Sequence, residues 1–498
     1  MQVSTLSQSL ALRQSINDMR AQFDDLQRQL STGLKTDSYA KLGTDRNTVL
    51  SLSHQLSQLS TYTNTISKTN MRIEVMTDAL TRVNSIASET KTTLATSGFE
   101  LVNGTQTTAQ VQAGMQFDEI VNLLNLQVED RYLFGGKDTQ TRPVALPSDI
   151  LNGTNGKAGL KQFIDERAQA DLGADGRGRL TLGTVGAVTT LAEDADPSVF
   201  GFKLASVDST LANATVTGPA GTPPALGVEF TGLPVAGQKI DIEFDLPDGT
   251  TTTISLKATA ASPAGEGEFT IGVDGNATAA NFQAALDTAI QEQAQTSLKA
   301  ASAVEAADNF FDYAAGGAPQ RVDGPPFDTA TGLIDATEDD TIFWYRGDLT
   351  GTAGNNFTAQ IDEGRQLNYG ARADQAAIRD MLKSSALLTA VEYSDENDAA
   401  QEKSYKALTG RVSQVLNFNG VQSLESIVTG LGLGASTLAK TQERHDLVMA
   451  SANELMGDIQ NADPYEVGVK LTTLQTQLQA SYQVTAMLSQ MSLVNFLR

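Results

Sequence analysis

Leu471–Leu497 reads LTTLQTQLQASYQVTAMLSQMSLVNFL, with no charged residue, glycine or proline. Nothing in it breaks a helix. Leu471, Leu474, Leu478 and Tyr482 form one apolar stripe at helical spacing. Further on, Val484, Met487, Leu488, Met491, Leu493, Val494, Phe496 and Leu497 spread apolar surface around more than one face. Gln475, Gln477, Gln479, Gln483 and Gln490 interrupt every apolar run. A membrane span needs roughly 18 or more nearly continuous apolar residues, so the pattern excludes one. A helix apolar on several sides and charge-free elsewhere calls for helical neighbours all round. One chain offers few such neighbours, and an assembly offers many.

Working outward, Asp463-Pro464 precedes this helix, and proline is compatible with a helix start. At the opposite end, Leu12, Ile16, Met19, Phe23, Leu26 and Leu30 step by three and four, which is heptad spacing. Gly33 closes that helix. Val3, Leu6 and Leu10 extend its apolar side towards the N-terminus. After a polar connector around Gly43, a second long helix carries Leu52, Leu56, Leu59, Ile66, Ile73, Met76, Leu80 and Val83 to about Leu94. A third, with Phe117, Ile120, Leu124 and Val128, ends at Tyr132-Leu133-Phe134-Gly135-Gly136. Helical patterning returns near Arg372 and is expected over about 398–417 and 435–461.

Between them the composition shifts. Twelve of the 13 prolines lie between Pro143 and Pro326, which predicts a β- and loop-rich middle. Ile240, Ile242, Phe244 and Leu246 alternate with polar residues, then Pro247-Asp248-Gly249 turns the chain, and Thr252, Ile254 and Leu256 alternate again. That is a hairpin. Phe269, Ile271 and Val273 suggest a third strand, leading into a helix with Phe282, Leu286 and Ile290 on one face. The fold class is α + β and multidomain: an elongated helical rod of long antiparallel helices or coiled coil, built from both termini, with a β-rich insert.

The chain has 498 residues, 40% of them hydrophobic and 19% charged, so a sizeable core is expected. A formal net charge of −24 argues against nucleic acid, whose phosphates need Lys and Arg. Cysteine is absent, which excludes disulfides, thiolate metal sites and cysteine nucleophiles. The N-terminus has no basic region before Arg13, so no cleavable secretory signal is expected.

Motifs for chemistry are few. The two histidines, His54 and His445, are far apart, and no HExxH or GxSxG occurs. Gly430-Leu431-Gly432-Leu433-Gly434-Ala435 fits a lenient GxGxxG/A pattern but follows a helix rather than a strand, so a helix-to-helix turn is expected. Glu338-Asp339-Asp340 lacks the spacing of a calcium loop and reads as a solvated acidic loop. Trp344 reads as core, and Arg346-Gly347-Asp348 beside it is a three-residue adhesion match. Asn103-Gly104-Thr105 and Asn152-Gly153-Thr154 read as turns. No catalytic residue, cofactor or metal ligand is expected. An enzyme in the insert would need convergent acid, base or nucleophile residues, which are not found there. An adhesive insert remains an alternative of a different class.

Three stretches carry a family resemblance. LQRQLSTGLKTDSYAKLGTDRNTVLSLSHQL (Leu26 to Leu56) resembles the N-terminal region of bacterial flagellins, and DPYEVGVKLTTLQTQLQASYQVTAMLSQMSLVNFL at the other end resembles a flagellin-family C-terminus. DRYLFGGKDTQTRPV (Asp130 to Val144) is similar to the hook-associated protein 3 branch of that superfamily. The resemblance covers about 1–145 and 366–498. It implies an inner helical assembly domain (1–45 with 462–498), a helical rod domain (46–145 with 366–461) and a β-rich variable outer domain (146–365). It also implies a structural axial protein of the flagellum, either the hook–filament junction subunit or, as the alternative, the major filament subunit. Its partners would be copies of itself, other axial proteins (hook-associated proteins and flagellin) and an export chaperone. It would lie outside the cell in the flagellum, exported by a type III route, without nucleic acid or membrane insertion. The assembly interface is expected at Leu6, Leu10, Ile16, Met19, Phe23, Leu26 and Leu30, together with Leu471, Leu474, Leu478, Tyr482, Leu488, Met491, Val494 and Leu497.

Overall fold

The heptad-spaced N-terminal residues form α1 (Gln2–Thr32) and, after a 3-10 segment at Tyr39–Asp45, α2 (Arg46–Thr96). The structure is a computed structural model that describes residues 2–194, 198–313 and 317–496. In α2 the seam Leu59, Ile66, Ile73, Leu80 and Ala87 is buried, with Thr69, Met76, Val83 and Thr90 interleaved. One residue in every three or four therefore turns inward along the helix, as a coiled-coil seam requires. α3 (Thr108–Leu124) starts at a capping box in which Thr107 and Gln110 satisfy each other's backbone N–H. A two-residue hairpin, β1 (Gln127–Val128) with β2 (Arg131–Tyr132), leads to the Leu133–Gly136 motif.

The middle of the chain runs through α4 (Pro147–Asn152), α5 (Leu160–Leu172), β3 (Leu180–Val185), β4 (Val188–Glu193), β5 (Lys203–Ser209), β6 (Ala214–Ala220), β7 (Ala225–Phe230), β8 (Lys239–Asp245), β9 (Thr251–Thr259) and β10 (Glu268–Thr270). Then follow α6 (Gly275–Gln293), a π-turn at Ala294–Leu298, α7 (Lys299–Phe311), β11 (Gln320–Val322), β12 (Leu333–Asp335), β13 (Phe357–Asp362) and β14 (Arg365–Tyr369). The chain ends with α8 (Ala376–Ala390), α9 (Ala399–Val415), α10 (Leu424–Gln460) and α11 (Pro464–Phe496).

The chain divides into two compact units. The first comprises 1–69, 359–366 and 436–498. In it α1 and α11 pack against each other. Gly33 has φ +72 and lets the chain leave α1, and its carbonyl accepts the Ala462 N–H at 2.8 Å. Lys35 N–H donates to the Gln460 carbonyl at 2.8 Å. Further along, the Arg20 guanidinium donates to the Tyr482 hydroxyl at 2.6 Å. Residue numbers rise on one helix as they fall on the other, so the pair is antiparallel. Tyr62 of α2 and His445 of α10 meet with ring centroids 5.9 Å apart.

The second unit comprises 70–358 and 367–435. Its centre is one apolar core shared by two four-stranded sheets and α6. One sheet, β3-β4-β7-β6, is antiparallel throughout. The other has the order β10-β9-β8-β5. Here the alternating hairpin takes the register Ile242 opposite Ile254, which keeps both inward on the period-two pleat. β10 joins β9 in parallel. Phe282, Leu286 and Ile290 of α6 are buried beneath the sheets, with Phe230, Phe269 and Phe282 in edge-to-face contact. The middle segment is more helical than its proline content suggests, because α5, α6 and α7 stand beside the sheets. Ala300, Ala301, Ala303, Ala306 and Ala307 are buried in α7, and such small residues give little hydrophobic periodicity to read.

Three expectations are corrected. α3 ends at Leu124, so Val128 lies in β1 rather than on the helix. β10 stops at Thr270, so Ile271 and Val273 lie outside the strand. Gly430–Ala435 is not a helix-to-helix turn but lies inside α10. Leu424, Ile427, Leu431 and Leu438 are buried at heptad spacing straight through it. Their burial outweighs the roughly 1 kcal/mol that each glycine costs a helix. A Cβ at Gly434 would lie 3.5 Å from Ile73 Cδ1, so α2 and α10 are neighbours at this point.

Candidate assembly surface

The expected interface residues separate into two groups. Ile16, Leu474 and Leu478 are buried within the chain, where α1 and α11 pack. Met19, Phe23, Leu26 and Leu471 are half-buried. Leu10, Leu30, Tyr482 and Leu488 are exposed, at 58%, 51%, 41% and 47%. The side chains of Leu6, Met491, Val494 and Leu497 lie outside the described residues.

The exposed apolar surface of α11 extends beyond those residues, since Val484 and Met487 are open as well. Tyr465 and Val469 near its start are more exposed still. In α10, Leu447, Val448 and Leu455 face solvent in the same unit. A single-stripe reading misses them because they fall between the seam positions. The available signal was the absence of charge around the whole circumference of α11 from Leu471 onward, rather than any one spacing.

Four threonine hydroxyls of α11 are prepared for dry contact. Thr472 and Thr473 donate back to the carbonyls of Gly468 and Val469 at 2.9 Å. Thr476 does the same to Thr472 at 3.0 Å, and Thr485 to Ser481 at 2.7 Å. Each hydroxyl already has its acceptor one turn back, so covering it forfeits little hydrogen bonding. A charge-free stretch of helix with internally paired threonine hydroxyls and open Val, Met and Leu side chains is suited to burial against another protein surface.

Candidates for chemistry do not converge. His54 is exposed. His445 is buried, its ring nitrogens lack hydrogen-bond partners, and Asp362 lies 3.5 Å from Nε2. No group of three potential metal-ligating side chains occurs among the described residues. Nor is any helix among them long and apolar enough to cross a membrane. Glu338 and Asp339 are exposed, while Asp340 accepts from Thr337 at 2.7 Å. Trp344 is buried and donates through its indole N–H to the Phe311 carbonyl at 3.0 Å. The Arg346-Gly347-Asp348 turn is not presented as an open loop. Asp348 N–H donates to the Gly135 carbonyl at 2.9 Å, and its carboxylate caps Thr350 at 2.6 Å. That contact fastens it to the Leu133–Gly136 motif, where a Cβ at Gly136 (φ +69) would come 2.9 Å from the Asp348 carbonyl oxygen. Asn103 forms a turn, its side-chain oxygen accepting the N–H groups of Thr105 and Gln106.

Residues 3–139 match a family model described as the bacterial flagellin N-terminal helical region, and residues 419–497 match the bacterial flagellin C-terminal helical region. The chain belongs to the bacterial flagellin family. The matches take in α1, α2 and α3 at one end and the whole of α10 and α11 at the other. Both sheets lie outside them. Flagellins are structural, non-enzymatic proteins that self-assemble into helical flagellar polymers outside the cell, and this chain is accordingly a structural flagellar component. No curated protein matches the chain individually.

Proposed function

We propose that this flagellin-family chain is an axial subunit of the hook–filament junction, joining copies of itself and neighbouring axial proteins through α1 and the open faces of α11 and α10. The observation that carries the assembly surface is the charge-free stretch of α11 from Leu471 onward, with exposed Val484, Met487 and Leu488 beside threonine hydroxyls that are already paired. The junction assignment rests on Asp130–Val144, where Leu133, Phe134, Gly135 and Gly136 are all buried and held by the loop at Asp348. The inner domain would comprise 1–45 with 462–498, and the rod 46–145 with 366–461. Export would follow a type III route with a chaperone covering the terminal helices.

The second reading is the major filament subunit, which the flagellin helical regions matched at both ends fit equally well. Seeded assembly separates the two. Purified chain is added to isolated hooks and to filament fragments, then examined by pelleting and negative-stain microscopy. A short cap on hook ends that does not extend supports the junction. Long filaments support the second reading and overturn the first. Addition to neither rejects both.

A further inference from the structure

The net charge of this chain is not shared between its two units. The first unit holds 12 Lys and Arg against 13 Asp and Glu. Of the chain's 35 basic and 59 acidic residues, that leaves 23 and 46 in the second unit. The first is therefore close to neutral, at −1, and the second carries −23. The unit with open apolar helices can approach a copy of itself without long-range repulsion. Every copy added nevertheless brings 24 net negative charges with it, 23 of them in the second unit.

We propose that the acidic second unit is an ionic-strength gate on self-association, opposing the apolar contacts of the first unit until salt screens it. This rests on the assembly reading above. Like charges interact over roughly 30 Å at 0.01 M salt but only about 8 Å at 0.15 M. Contacts between apolar, charge-free helix faces gain nothing from low salt, so they do not offset this dependence. Many of the charges are free to act at a distance. Asp208, Glu229, Asp245, Glu338 and Asp339 are exposed, and none makes an ion pair or side-chain hydrogen bond among the described residues.

The test is the critical concentration of the full chain at pH 7.5 in sodium chloride from about 0.01 to 0.15 M, a range that spans these screening lengths. It is read by pelleting and light scattering. A fall of about tenfold across the range is expected, the scale set by 1.4 kcal/mol of relieved repulsion per added copy. Magnesium chloride at equal ionic strength should give the same fall. A variant with Asp208→Asn, Glu229→Gln, Asp245→Asn, Glu338→Gln and Asp339→Asn should assemble more readily at low salt and show a shallower slope. Trp344 fluorescence confirms that its second unit is folded. A critical concentration that is flat or rises with salt overturns the gate, as does a wild-type slope in a folded variant. So does a much larger effect of magnesium, which would mean bound cations rather than screening. Failure to associate at any salt rejects the assembly reading itself.

Discussion

Leu478 and Leu488 lie ten residues apart on α11, and changing each to aspartate should break different things. Leu478 keeps 8% of its surface and Leu488 keeps 47%. At Leu488 the open half of a leucine is worth about 1 kcal/mol when another subunit covers it, half of the roughly 1.5–3 kcal/mol for a whole side chain. A carboxylate in that dry contact adds a desolvation cost of several kcal/mol. Together these exceed about 3 kcal/mol, or more than 100-fold in critical concentration. The isolated subunit should change by no more than about 0.5 kcal/mol, because the site is exposed there. At Leu478 truncation alone would cost about 2–5 kcal/mol within the subunit, and a buried charge would cost more. Leu478→Asp should therefore separate α11 from α1 in the monomer and lower its helicity. The assay pairs circular dichroism of monomer with critical concentration by pelleting. The reasoning fails if Leu488→Asp assembles at the wild-type concentration, or if it unfolds the monomer as far as Leu478→Asp does.

The second unit supplies three more expectations, the first two read by the single Trp344. Lys383 is buried between α7 and α8 and pairs with Asp308, with Asp312 at 3.5 Å and with Asp380 at 3.4 Å. Lys383→Met should cost about 3–5 kcal/mol at neutral pH, because it strands those carboxylates, and a loss under about 1 kcal/mol would refute the pairing. Burial, opposed by Arg167 or Lys383, pushes the carboxyls of Glu305, Asp308 and Asp380 above their ordinary range. The folded form then holds these protons more tightly than the unfolded form, so ionisation costs stability at neutral pH and acidification relieves that cost. The Asp287 and Glu119 carboxylates are held below their ordinary range by Arg177 and Arg82, and their contribution is lost only as pH falls through those lowered values. The thermal midpoint should accordingly rise from about pH 7.5 to 5.5 and fall below about pH 4, near the unperturbed carboxylate values, and a steady decline from neutrality would contradict the assignment. Gly178 has φ +62, and a Cβ there would run into the Phe202 ring. Gly178→Ala should destabilise the sheet core by about 2–3 kcal/mol without altering association through α11, which urea unfolding and pelleting together would check.

Much of this was legible where periodicity is strong. Leu59, Ile66, Ile73 and Leu80 mark a seam by spacing alone, and Ile240–Leu256 marks a hairpin by alternation. The α7 helix left a weaker trace, because an alanine-rich buried face has little contrast against alanine elsewhere. The glycines at 430, 432 and 434 pointed to a turn because local propensity is visible in sequence, whereas the partner seam that overrides it is not. The same asymmetry governs the candidate site. Spacing identified Leu474 and Leu478 as apolar, but could not show that α1 would cover them and leave Val484, Met487 and Leu488 open. A stripe states what must be buried, and the tertiary fold decides whether this chain or its neighbour does the burying. For α11 the fold divides the task. The stripe facing α1 is used within the subunit, and on the proposed reading the open apolar surface of the charge-free stretch from Leu471 would be covered by another copy, which is why substitutions ten residues apart should separate folding from assembly.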